Sequence, residues 1–76
     1  MPRRVFNWSY NDVVRILKDN GFRLNHIKGS HHYYVGTVKG KLHQVCVPYH
    51  GKTSFKPRTL KSMIRQSGLP NSAWGP

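Results

Sequence analysis

Between Phe22 and Pro48 strand-like segments follow one another with gaps too short to hold a helix, and this spacing decides most of what the chain can become. From Phe22 the period is two: Phe22, Leu24 and His26 alternate against Arg23, Asn25 and Ile27, and Lys28-Gly29-Ser30 follows as a turn. A second strand runs from His31 to about Val35. Gly36 to Lys41 holds two glycines and makes a hairpin connection, after which Leu42 to Val47 forms a third strand closed by Pro48. Parallel neighbours would need a crossover of roughly a dozen residues or more. None fits, so the sheet must be antiparallel.

Helical signals flank these strands. Ser9-Tyr10-Asn11-Asp12 reads as a helix start: Ser9 can accept from a free backbone amide, and Asp12 puts negative charge in the first turn, where the macrodipole favours it. Val13, Ile16 and Leu17 follow at helical spacing. Gly21, with Phe22 just beyond it, has the form of a left-handed cap, so the first helix covers residues 10 to 20. The polar loop His50-Gly51-Lys52-Thr53-Ser54 leads to Pro57, which suits the first turn of a second helix with apolar positions Leu60, Met63 and Ile64 and a cap at Gly68. Residues 70 to 76 carry too much Pro, Gly, Ser and Asn for regular structure, although Trp74 has something to dock. The expected fold is α+β, in the order helix-strand-strand-strand-helix. Both helices lie on one face of a three-stranded antiparallel sheet and the other face is open.

A chain of 76 residues makes one domain, here with a core of about residues 9 to 69 and a tail from 70 to 76. Cys46 is the only cysteine, so no intramolecular disulfide forms; between Val45 and Val47 it reads as a small hydrophobe in a reducing compartment, which points to the cytoplasm. No apolar run approaches the roughly 20 residues of a membrane span. Pro2-Arg3-Arg4 is followed by polar and aromatic residues instead of a signal-peptide core. A soluble, unexported protein is expected.

Thirteen Lys plus Arg face only Asp12 and Asp19, a net charge of +11. Self-repulsion on that scale costs stability that a small core can hardly spare, and contact with phosphates relieves it. Membrane-surface helices gather their cations opposite an apolar stripe. Here Arg23, Lys28, Lys39, Lys41, Lys52, Lys56, Arg58, Lys61 and Arg65 spread over every expected element, a distribution suited to a nucleic-acid backbone. RNA is the foremost partner, and no membrane is expected.

Imidazole is the side chain best matched to proton transfer near neutral pH. The chain has five, at His26, His31, His32, His43 and His50. Their spacing argues against a metal: there is no Cys-x-x-Cys, no His-x-x-x-His on a helix, and no nearby carboxylate to orient a ring. No cofactor is implied. For acid–base work on a phosphodiester, one exposed imidazole and cations for the dianionic phosphorane suffice. His31 or His32 supplies the first, and Lys28 or the cations of the second helix supply the others. Strand parity sets His32 and Tyr34 on one face and His31, Tyr33 and Val35 on the other, with Val45 and Val47 facing the core from the third strand and Leu42, Gln44 and Cys46 opposite. Each half of the second strand has one histidine and one tyrosine, so hydrophobicity alone does not choose the inward one.

The pattern resembles the HicA family of small bacterial toxins. It consists of a first helix ending in Gly21-Phe22, then Lys28-Gly29-Ser30-His31, Tyr34, Val45-x-Val47-Pro48, His50-Gly51 and Leu60-Lys61-Ser62-Met63-Ile64-Arg65-Gln66-Ser67-Gly68. The resemblance covers almost all residues from Val13 to Leu69. It implies a fold like that of the double-stranded-RNA-binding domain. It also implies a ribosome-independent mRNA interferase that cuts RNA without a metal and is held inactive by a HicB antitoxin covering its active face. By position the family's essential histidine falls on His31. His32 and Tyr34 are then expected to lean toward the helices, and His31 and Tyr33 toward the open face. The expected RNA and phosphate contacts are Lys28, Gly29, Ser30, Tyr33, His50, Lys52, Lys56, Arg58, Lys61 and Arg65. Two departures stand out: His26 occupies a place where many members carry Arg, and the hairpin from Gly36 to Lys41 lacks a His-Pro-Asp-Gly sequence.

Overall fold

A computed structural model describes residues 8–75; Pro2-Arg3-Arg4 and Pro76 lie outside the described residues. The order is α1 (Tyr10–Asp19), β1 (Arg23–Lys28), β2 (His31–Val38), β3 (Lys41–Pro48) and α2 (Pro57–Ser67), followed by a short 3-10 turn at Asn71–Trp74. The strands pair antiparallel in the order β1-β2-β3, as their spacing requires.

Both helices end as their sequences predict. At the start of α1 the Asp12 carboxylate accepts from the backbone amide of Ser9 (2.9 Å) and from its hydroxyl (3.1 Å). At its end Gly21 takes a left-handed φ of 87°, while Phe22 N–H bonds Leu17 C=O at 2.9 Å and Gly21 N–H bonds Lys18 C=O at 3.1 Å. That pair of bonds is a Schellman closure, and it drops Phe22 into the core. Helix α2 opens on Pro57 and closes on Gly68 with φ 70°.

The core lies between the helices and one sheet face. Val13, Leu17, Val45, Val47, Leu60, Met63 and Trp74 are all but sealed from solvent, with Phe22, Tyr34 and Phe55 around them. Strand β2 passes close beneath Phe22: a Cβ on Gly36 would meet that ring at 2.6 Å, so the position has no room for a side chain.

The structure corrects the sequence reading at three places. Strand β2 continues past Val35 to Val38, and the hairpin is a tight two-residue turn of Lys39 (φ 51°) and Gly40 (φ 79°), a primed turn whose twist matches the strands it joins. The tail is not wholly irregular. It forms the 3-10 turn and buries Trp74, whose ring lies 5.9 Å from that of Trp8 at 58°. Apolar burial there outweighs the local composition.

The third correction matters most. The pairing of β1 with β2 slips between Leu24 and His26: Leu24 opposes Tyr34, but His26 opposes Tyr33. Asn25 is thus the extra residue of a β-bulge, and the simple alternation expected over Phe22 to Ile27 breaks at that point. Beyond the bulge, His26 and Lys28 change faces relative to Leu24.

Candidate active site

The bulge and the first hairpin turn together assemble one patch on the face of the sheet away from the helices. Gly29, with φ 60°, is the first residue of a two-residue connection, which sets Lys28 directly opposite His31. His31 in turn opposes Pro48 of β3, so Lys28, His31 and Pro48 form one row across the sheet. The next row is His26, Tyr33 and Cys46. Within it the His26 and Tyr33 rings stack, 4.4 Å apart and 11° from parallel, and Asn25 Nδ2 lies 2.9 Å from His26 Nδ1. The His31 ring meets Tyr33 edge-on, with centroids 6.5 Å apart. The neighbouring Cys46 sulfur, as a thiolate, pushes the Tyr33 hydroxyl above its ordinary value of 10.0.

His32 has a different role. On the helix side its Nδ1 lies 2.8 Å from the Tyr10 hydroxyl, which also bonds the Tyr34 hydroxyl at 2.6 Å. Its other face stacks on Tyr49 at 5.3 Å and 10°. Burial and the bond to Tyr34 push the Tyr10 hydroxyl up from its ordinary value of 10.0. His32 and Tyr34 therefore pack toward the helices, while His31 is exposed on the opposite face with Lys28 beside it. Tyr10 and Tyr49 were not singled out by sequence; an isolated aromatic gives no sign of which ring it will touch.

The other expected contacts separate into two groups. Tyr49 N–H bonds Ser30 C=O at 2.7 Å, which brings the loop carrying His50 alongside the Gly29-Ser30 turn. On α2, Arg58, Lys61 and Arg65 recur at helical spacing on the exposed face, and with Cys46, Pro48 and Gln66 they line an open groove of about 760 Å³ against β3. Pro48 belongs both to that groove and to the His31 row, so the cations continue from the patch around the sheet's edge. Lys52 and Lys56 are exposed in the segment leading to α2 and do not line the groove.

His26 is the residue the sequence reading placed wrongly, because nothing in Leu24-Asn25-His26 announces a bulge. Among the described residues no group of three or more His, Cys, Asp or Glu converges on a common point, and no helix is long and apolar enough to cross a membrane.

The arrangement offers an exposed imidazole, an adjacent lysine, an aromatic ring and a basic groove on one continuous surface. A comparison with curated proteins and one with solved structures each gave no match. A family model described as the HicA toxin of bacterial toxin–antitoxin systems matches residues 10–69, from the first residue of α1 to the residue after the α2 cap. The chain therefore belongs to the HicA toxin family.

Proposed function

We propose that this protein is a metal-independent endoribonuclease toxin whose general base is His31. Neutral imidazole takes the proton from a ribose 2′-hydroxyl, whose oxygen attacks the adjacent phosphorus in line. Lys28 stabilises the charge gathering on the phosphorane oxygens. The bond to O5′ breaks, leaving a 2′,3′-cyclic phosphate on one fragment and a 5′-hydroxyl on the other. The groove of Arg58, Lys61 and Arg65 holds the flanking phosphates, Lys52, Lys56 and His50 add contacts from the exposed segment leading to α2, and Tyr33, one face of which stacks on His26, offers its remaining surface to a base. Family membership brings with it a cognate antitoxin. A HicB-like protein laid over the His31 face would silence the enzyme by excluding RNA, and the cytoplasm, where mRNA is met, is its place of action.

The observation that carries this reading is the pairing of Lys28 with His31, both exposed, on a face that no helix of the described residues covers. It is tested by incubating single-stranded RNA with the protein and with His31→Ala in EDTA, after matching the two by thermal melting. Cleavage by the parent, at least about 100-fold slower in the variant, is expected for loss of a general base. Products ending in 3′-hydroxyl and 5′-phosphate would exclude attack by the 2′-hydroxyl. Binding without cleavage by either protein would make the domain an RNA-holding module of the same fold.

A further inference from the structure

We infer that His26 is the general acid of this site. The inference rests on the His31 reading above, which leaves the departing O5′ without a proton donor. His26 and His31 are diagonal neighbours on one sheet face, flanking the Tyr33 ring at centroid distances of 4.4 and 6.5 Å, with Lys28 between them on β1 and directly across from His31. Two proton-transfer groups and a cation thus stand on one patch of the sheet around Tyr33, as in-line displacement uses when one group serves the attacking oxygen and the other the leaving oxygen.

His26 is also held as a catalytic ring must be. Its plane is fixed by the stack on Tyr33 and its Nδ1 by Asn25, while Nε2 has no partner among the described residues. As imidazolium, Nδ1–H donates to Asn25 once the side-chain amide turns its oxygen inward, and Nε2–H is left for substrate. His50 is the competing donor; it follows Tyr49, whose N–H ties this loop to Ser30 C=O at 2.7 Å, and the test below separates the two histidines. The bulge at Asn25 has a purpose in this light: with strict alternation, His26 would share the helix-side face with Leu24.

The step balances without a co-reactant. The 2′-hydroxyl proton goes to His31 Nε2 or Nδ1, O2′–P forms, P–O5′ breaks, and the Nε2 proton of His26 goes to O5′; solvent then returns both rings to their starting states.

The experiment uses an oligoribonucleotide the parent protein cuts, and the same strand with sulfur replacing O5′ at the cut linkage. A thiolate leaves without protonation, so loss of the acid should be bypassed. His26→Ala and His26→Gln should slow cleavage of the oxygen strand by about 100-fold or more, yet cut the sulfur strand within a few-fold of the parent. His31→Ala should be slow on both, and His50→Ala should show no such rescue. If the His26 variants match the parent on the oxygen strand, or are slowed equally on both strands, the inference falls while the His31 reading stands. If the parent cuts neither strand, both fall.

Discussion

Tyr10→Phe tests how much of this small fold hangs on one hydroxyl. The Tyr10 oxygen bonds His32 Nδ1 at 2.8 Å and the Tyr34 hydroxyl at 2.6 Å, and Tyr34 is only 3% exposed. Phenylalanine keeps the ring and its edge-on contact with Tyr49 (4.9 Å, 89°) but leaves Tyr34 without its only hydroxyl partner among the described residues. A buried polar group so stranded costs about 1–3 kcal/mol, and the partly buried bond to His32 adds less. Destabilisation of about 2 kcal/mol should lower Tm by roughly 10 °C, at about 4–8 °C per kcal/mol for a domain this size. Urea denaturation read by far-ultraviolet circular dichroism should show a lower midpoint with an unchanged slope.

The same residue gives a pH signature. Burial raises the Tyr10 hydroxyl above its ordinary value of 10.0, so the folded state prefers the neutral form. Its contribution is fully present below the unfolded value and is lost as pH rises through the higher folded one. The parent should therefore weaken above pH ~10, and Tyr10→Phe should lose that component of the alkaline limb. A variant within about 0.5 kcal/mol of the parent, the scale of an inert surface change, with the same alkaline limb would refute the reasoning. RNA cleavage at a temperature where both are folded should be unaltered, since His32 faces away from His31.

Trp74→Ala should cost about 3–5 kcal/mol, the range for emptying a buried aromatic site. Trp74→Phe should cost far less, because the indole N–H has no hydrogen-bond partner among the described residues to lose; paired melting curves decide it, and equal losses would contradict a packing role. Lys61→Gln and Arg65→Gln should each weaken RNA binding and reduce the slope of log affinity against log salt by about 1, measured by fluorescence anisotropy between low and moderate salt. A slope unchanged in both would remove the α2 groove from the RNA path.

Local chemistry made the helices legible. Gly21-Phe22, Pro57 and Gly68 each carry a stereochemical requirement that one conformation meets, and each is met where the sequence put it. The order of elements followed from gap lengths that forbid crossovers. The faces of β2 were another matter, because its tyrosines and histidines are divided evenly by parity. What decides them is tertiary: Tyr10 reaches across from α1 to His32 and Tyr34. The bulge at Asn25 was illegible for a similar reason. A bulge is a property of two strands in register, and the residues on one strand do not record how many of them face the other. His26 was misplaced by that single count. The 3-10 turn was missed because Pro, Ser and Asn describe the backbone's local options, whereas the burial of Trp74 is settled by the hydrophobic space the rest of the domain provides.

The side chain of Gln66 closes one border of the sheet. Its Oε1 accepts the Cys46 amide at 3.0 Å, on the side of β3 that no strand of the described residues occupies, and its Nε2 is braced on Ser62 Oγ at 3.1 Å. Two residues on, Pro48 has no amide to present in the same direction. A foreign strand seeking to extend the sheet beside this stretch of β3 meets a rung already filled and a rung that does not exist. Strand β1, exposed along its length, is left as the border where growth by templating can begin, and Arg23 and Lys28 stand at its two ends. A second copy approaching there brings the same cations, so the charge at this border discourages this protein from polymerising on itself.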